Sequence, residues 1–310
     1  MPWQFELVAG PFTRPDGSPT LTEGPAWDGE GLLFTDIPNS RIMRYVPATG
    51  AGEVFRASTE GTNGLTLDRQ GRLYGCQSGS RRIVRYEADG GVTVLAERYE
   101  GKRLNEPNDI VVAVDGQVWF TDPCYTMDRA QMELDHESVY RLDPQPDGSY
   151  AIERVTFDTT RPNGLCFSPD ERVLYVAESP RAPEGSRQLR AYPINEDGSL
   201  GLMRVLHDFG PHRGIDGMRV DSEGNIVASC GWQRSGPGPR IAVFAPDGTV
   251  LEEHPTAADP TNVCFGGPDL RDLYVTTSRR DLPEGEQPAA GALFRVRPGV
   301  AGLPVLPYAG

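Results

Sequence analysis

Six polar residues, each standing at the head of a short apolar run, carry most of the chemical potential of this 310-residue chain. They are Glu23, Asn63, Asn108, Asn163, Asp216 and either Thr261 or Asn262, where the register is open by one residue. The set contains two carboxylates, at least three amides, and no Lys or Arg. Gathered in one place, these groups bury negative charge without a counter-ion, which is costly. A bound cation removes that cost. Every donor is a hard oxygen, so the expected cofactor is one divalent cation, Ca²⁺, with Mg²⁺, Mn²⁺ or Zn²⁺ as substitutes. A plainer reading competes: Asn63-Gly64, Asn163-Gly164 and Asp216-Gly217 are common turn dipeptides. Against it, each repeat has its own hairpin turn further on, and all six heads align.

The elements that position these heads are read from the stretch 105–122, NEPNDIVVAVDGQVWFTD. Asn108 precedes an apolar run, Asp115-Gly116 makes a tight turn, and a second apolar run returns, which is a hairpin signature. The phrase recurs six times, with head spacings of 40, 45, 55, 53 and 46 residues, in the range of four-stranded propeller blades. Each copy leads to a basic or aromatic strand, such as RIMRYVPATG, RIVRYEADG or RIAVFAPDG. The predicted architecture is therefore all-β: one six-bladed β-propeller domain over 1–310, with blades near 21–50, 61–90, 105–148, 161–198, 214–249 and 259–298. Heads that begin the innermost strands ring one mouth of the central channel. Gln4 to Val8 is expected to complete the last blade. DRAQMELDHE (128–137) reads as a short helix in a loop. Insertions at Pro123–Glu137 and Ser179–Arg187 are expected to cover the mouth that holds Glu23 and Asp216.

Composition narrows the function. A net charge of −14 argues against nucleic acid, whose phosphates need a basic surface. The five cysteines are scattered without C-x-x-C, and the four histidines show no ligand spacing, so zinc is not expected as the native metal. Buried free thiols in a reducing compartment are the natural reading. MPWQFELVAG has no basic or apolar leader, and no run approaches 18 apolar residues, so a cytoplasmic protein without a membrane partner is expected. No G-x-S-x-G occurs, and no histidine lies in a motif that activates Ser or Cys, so a serine or cysteine nucleophile is not expected.

Six motifs together resemble one family: Glu23-Gly24-Pro25, Lys102 to Asp109 (KRLNEPND), Trp119 to Tyr125 (WFTDPCY), Arg161 to Asp170, Gly214 to Gly224, and Asn262 with Gly266-Gly267. From about Leu7 to Val296 the chain resembles the gluconolactonase branch of the senescence-marker-protein/regucalcin/gluconolactonase-like family. The resemblance implies metal ligands at Glu23, Asn163 and Asp216, with Asn108 a fourth ligand or a substrate contact. It implies Asp216 as the catalytic carboxylate, as general base or nucleophile. Asn63, Asn105 and Tyr125 would line the pocket, and His136 stands on the long insertion beside it. Glu106 departs from the arginine that regucalcin-type members carry two residues before the pocket asparagine, which favours a neutral sugar lactone over an acidic one. The expected partner is a small lactone or ester; hydrolysis of another ester or phosphoester, or ligand binding without catalysis, are the alternatives.

Overall fold

The computed structural model describes residues 3–180, 182, 184–233, 235–278 and 290–304. Residues 279–289 of the sixth expected blade, and Arg181 and Pro183 of the second insertion, lie outside them. Among the described residues, six four-stranded antiparallel sheets follow one another along the chain, together with a two-stranded ribbon, Arg98–Tyr99 with Lys102–Arg103. In blades 1 to 5 the strands pair in sequence order, each to its neighbour. The innermost strands are Thr22–Trp27, Thr62–Leu67, Ile110–Val112, Pro162–Phe167, Ile215–Val220 and, in blade 6, Asp259–Gly266.

Blade 6 takes its fourth strand from the other end of the chain. Glu6–Ala9 pairs with Leu293–Val296, placing Leu7 opposite Phe294, and Arg295 reaches Glu6 at 2.7 Å. The ring is thus closed by backbone hydrogen bonds, which removes one sheet edge. Helix is confined to two single 3₁₀ turns among the described residues, Ile37–Asn39 and Arg129–Gln131. The helix expected over 128–137 is reduced to that second turn. Asp128 caps it, accepting from the Ala130 N–H at 3.0 Å, but the segment then spends its polar groups on tertiary contacts. No helix of the described residues is long and apolar enough to cross a membrane.

The apolar core is divided rather than central. Six clusters of buried side chains each lie between two successive blades. Ala26, Leu33, Ile42, Leu65 and Val84 join blades 1 and 2; Phe34, Met43, Tyr274 and Leu293 join blades 6 and 1. This follows from strand alternation, since each sheet has two faces and each face packs on a neighbouring blade. Burial of apolar area, at about 25 cal/mol per Å², therefore holds the blades together and leaves the axis to whatever the inner strands turn towards it. All five cysteines are buried and unpaired, as their spacing predicted.

Candidate functional site

Strand pairing alone does not aim the heads at the axis; a local irregularity does. The pairing of the innermost strand with the second shifts register at the head of five blades: Glu23/Ala26, Thr62/Leu65, Pro162/Leu165, Ile215/Met218 and Pro260/Asn262. Such bulges turn a side chain out of the pleat. Asn63-Gly64, Asn163-Gly164 and Asp216-Gly217 thus lie within strands, and the turn reading is overturned.

The glycines have a different task. A Cβ on Gly24 would stand 2.3 Å from the Asn63 carbonyl oxygen, one on Gly64 2.6 Å from that of Asn108, and one on Gly164 2.4 Å from that of Asp216. Each lets the next inner strand close in. In two blades that position is filled by a polar side chain instead, Asp109 and Asn262, and these occupy the space that the glycines leave. The sixth head is therefore Thr261, with Asn262 in the position that glycine fills in four blades. Thr261 turns its hydroxyl to the Thr22 carbonyl at 2.7 Å, while the Asn262 amide donates to Glu23 Oε2 at 3.0 Å.

Around the mouth the side-chain contacts fall into two groups, one at Asn163 and Asp216 and one at Glu23 and Asn262. Asn163 Nδ2 donates to Asp216 Oδ1 and to the Tyr125 hydroxyl, both at 2.7 Å. Arg213 pairs with the other oxygen of Asp216. Glu23 Oε2 also accepts from the Gly24 N–H at 2.7 Å. Asn108 is buried in the ring, its carbonyl taking the Gly64 N–H at 2.7 Å. Asn63 is half-buried and gives its carbonyl to the Thr35 hydroxyl at 2.9 Å.

Electrostatics follow from this crowding. Burial, then the nearby carboxylates of Asp216 and Asp109, push Glu23 up to about 8. Asp109 is also raised by burial; Arg219, 3.6 Å away in the channel, pulls the other way. Asp109 Oδ2 has no hydrogen-bond partner. Glu23 thus feels the charges of Asp216 and Asp109 across the buried mouth, although among the described residues no three acidic, His or Cys side chains stand close enough together to hold a metal by themselves; the remaining oxygens at the mouth are those of amides. A hard divalent cation fits this set: it would relieve the strain on Glu23, held by Glu23, Asn163 and Asp216 with Asn108 alongside.

The remaining expected pocket residues are placed differently from one another. Tyr125 reaches the site through Asn163, and its ring lies under the Arg161 guanidinium at 5.2 Å. Asn105 is fully buried and ties the insertion down, donating to the carbonyls of Asp122 and His136 at 3.1 and 3.2 Å. His136 is half-buried and pairs its Nδ1 with the Ser138 hydroxyl at 2.8 Å. Glu106 is turned into the insertion. Burial would raise it, but the Thr126 hydroxyl and the N–H groups of Thr126, Met127 and Tyr125 hold it below the usual carboxylate range. Its carboxylate oxygens are thus engaged by the start of the insertion.

Both insertions join the second and third strands of their blades at the end where the heads lie, tied by Tyr125 to Asn163 and by the Ser179 hydroxyl to the Ile215 carbonyl at 2.8 Å. Sequence reasoning missed Arg213, Arg219 and Asp109. The available signal for Arg219 was a basic residue in the same short inner strand, IDGMRV, that carries the head Asp216.

A sequence profile of the SMP-30/Gluconolactonase/LRE-like region matches residues 21–279. The chain belongs to that family. A gluconolactonase of Zymomonas mobilis is 32% identical over 286 residues, covering 83% of this chain and 76% of the relative. A 6-deoxy-6-sulfogluconolactonase of Pseudomonas putida is 31% identical, covering 94% and 95%. Among solved structures, a gluconolactonase from Xanthomonas campestris superposes with a TM-score of 0.77 at 34% identity, over 95% of this chain and 89% of that one.

Proposed function

We propose that this member of the family hydrolyses sugar lactones and does so with a divalent cation, Ca²⁺, at the Glu23–Asn163–Asp216 mouth. The observation that carries the reading is that Glu23, beside the amide of Asn262 and within the influence of Asp216 and Asp109, is pushed up to about 8 first by burial and then by those carboxylates, a cost that a cation would remove. The names of the relatives, gluconolactonase and 6-deoxy-6-sulfogluconolactonase, supply the substrate class.

A divalent cation, when bound, supplies Lewis-acid polarisation of the lactone carbonyl and stabilises the developing oxyanion. The chain's own residues supply the rest. Asp216 is fixed at both oxygens, by Asn163 and by Arg213, so it meets the substrate in one orientation. From there it removes a proton from water or attacks the carbonyl carbon directly. Asn163 couples that carboxylate to the Tyr125 hydroxyl, which stands on the insertion over the mouth. Glu23, held by Gly24 and Asn262, serves as a charge holder.

The test is turnover on a panel of sugar lactones, followed by acid release, before and after chelation and with Ca²⁺ restored. Turnover lost on chelation and recovered with the ion is the expected result. Full turnover by metal-stripped protein would end the cation-assisted reading, and inertness on every lactone would end the lactonase reading.

A further inference from the structure

The side-chain amide of Asn163 has both of its hydrogens committed. One goes to Asp216 Oδ1 and the other to the Tyr125 hydroxyl oxygen, each at 2.7 Å. An ionised carboxylate only accepts, so the edge that faces Asp216 has to be the NH₂. The amide oxygen, Oδ1, has no hydrogen-bond partner among the described residues. It is therefore the atom that this side chain offers to a hard cation.

The two anchors of the amide are not equivalent. Asp216 is itself assigned to the ion and to the reaction, so its hold on Asn163 competes with both. Tyr125 lies outside the inner strands, on the insertion over 123–137, and comes to the mouth with its own support. The Arg161 guanidinium covers its ring at 5.2 Å, and Arg161 Nε reaches the buried Glu137 Oε2 at 3.4 Å. The same Glu137 oxygen accepts the N–H of Cys124, the residue before the tyrosine, at 2.7 Å.

We propose that Tyr125 is a positioning residue for the cation site, an assignment that rests on the cation reading above. Its hydroxyl holds the Asn163 amide so that Oδ1 is presented for coordination, and this couples ion binding to the order of the insertion. The coupling has a physical cause. A cation on Oδ1 draws electron density from the amide and makes its N–H groups stronger donors, so the bond to Tyr125 tightens on loading. Coupling is reciprocal, so losing the bond to Tyr125 weakens the ion in turn.

The experiment replaces Tyr125 by Phe, which keeps the ring under Arg161 and removes only the hydroxyl. Metal-free proteins are titrated with Ca²⁺ by calorimetry. Losing an outer partner of a metal ligand typically costs about 10–100-fold in affinity, and Tyr125→Phe is expected to bind Ca²⁺ about tenfold more weakly. In saturating Ca²⁺ its kcat on a sugar lactone should return close to that of wild type, because the hydroxyl does no chemistry. Hydrogen exchange gives a readout that a merely structural role would not move. Ca²⁺ should slow exchange of the Tyr125, Thr126 and Met127 amides, which are bound to Glu106, in wild type, and Tyr125→Phe should lose most of that response. Thermal melting of the metal-free variant checks that it folds. Equal Ca²⁺ affinity in the two proteins overturns the proposal, as does an exchange response that survives in Tyr125→Phe. A fall in kcat that saturating Ca²⁺ does not restore also overturns it, since Tyr125 would then act on the substrate. A wild type that binds no Ca²⁺ removes the cation reading, and this assignment with it.

Discussion

Asp216 and Asn163 share a hydrogen bond, yet their replacement should have different consequences. Asn163→Ala removes a neutral oxygen and the link to Tyr125. Ion affinity should fall, and excess Ca²⁺ should restore much of the activity by mass action. Asp216→Asn keeps the shape and one oxygen but removes the base or nucleophile. The expected loss in kcat is at least about 10²–10⁴-fold, without rescue by added metal. Measuring kcat and Ca²⁺ affinity across a metal titration separates the two; full rescue of Asp216→Asn would reduce that residue to a ligand.

Glu23 makes a prediction about pH. Its folded value of about 8 stands above the ordinary 4.5. Between those limits the metal-free folded protein holds a proton that the unfolded chain has released. The stability this contributes is full below about 4.5 and is lost as pH rises through about 8. Ca²⁺ requires the ionised form. Binding at about pH 6 should therefore release close to one proton, and affinity should rise with pH until about 8. Calorimetry in buffers of different ionisation enthalpy reads the proton count, and zero release at about pH 6 would contradict the assignment.

At the scale of elements, the bulge and the following glycine work together. The bulge turns the head towards the axis, and the glycine lets the adjacent inner strand come close enough for heads to touch. Gly164→Ala tests this, because its Cβ would meet the Asp216 carbonyl oxygen at 2.4 Å. Relief requires the inner strands of blades 4 and 5 to part. The expected cost is about 1–3 kcal/mol in urea unfolding, with weakened Ca²⁺ binding because Asn163 and Asp216 separate. A Gly164→Ala protein with unchanged stability and ion affinity would show that the approach is not tight. The insertion over 123–137 has a related design. Glu106 gathers three backbone N–H groups, which orders the start of a loop that has little regular structure of its own and sets Tyr125 over the site.

At the scale of the molecule, the blades are joined by apolar clusters and the circle is closed by one short strand. Deleting residues 1–9 removes the pairing of Glu6–Ala9 with Leu293–Val296 and the Glu6–Arg295 ion pair. With a few ladder hydrogen bonds lost, the expected destabilisation is about 2–4 kcal/mol, read as a lower urea midpoint. An unchanged midpoint would mean that the other blade contacts close the ring unaided. Because every head begins an inner strand of this circle, loosening it should also weaken Ca²⁺ binding.

The sequence by itself determined the six-fold period, the hairpins and the closing strand, because these depend on local rules: alternation of apolar residues, Asp-Gly turns and their spacing. It also located the ring of heads, since equivalent places in a radial repeat meet at the axis. It did not determine what surrounds them. The Asn163–Asp216 contact spans 53 residues and the Asn262–Glu23 contact 239, and no local rule sets either. At the sixth head a bulge leaves Thr261 at the head position and sends the side chain of the next residue, Asn262, to Glu23. Glu106, Arg213 and Arg219 are charges whose effect depends on what they meet: backbone amides for the first, the site carboxylate for the second, a buried aspartate for the third. Only the closed circle of blades brings those partners within reach, because Coulomb energy depends on separation in space and on burial, and neither is encoded by distance along the chain.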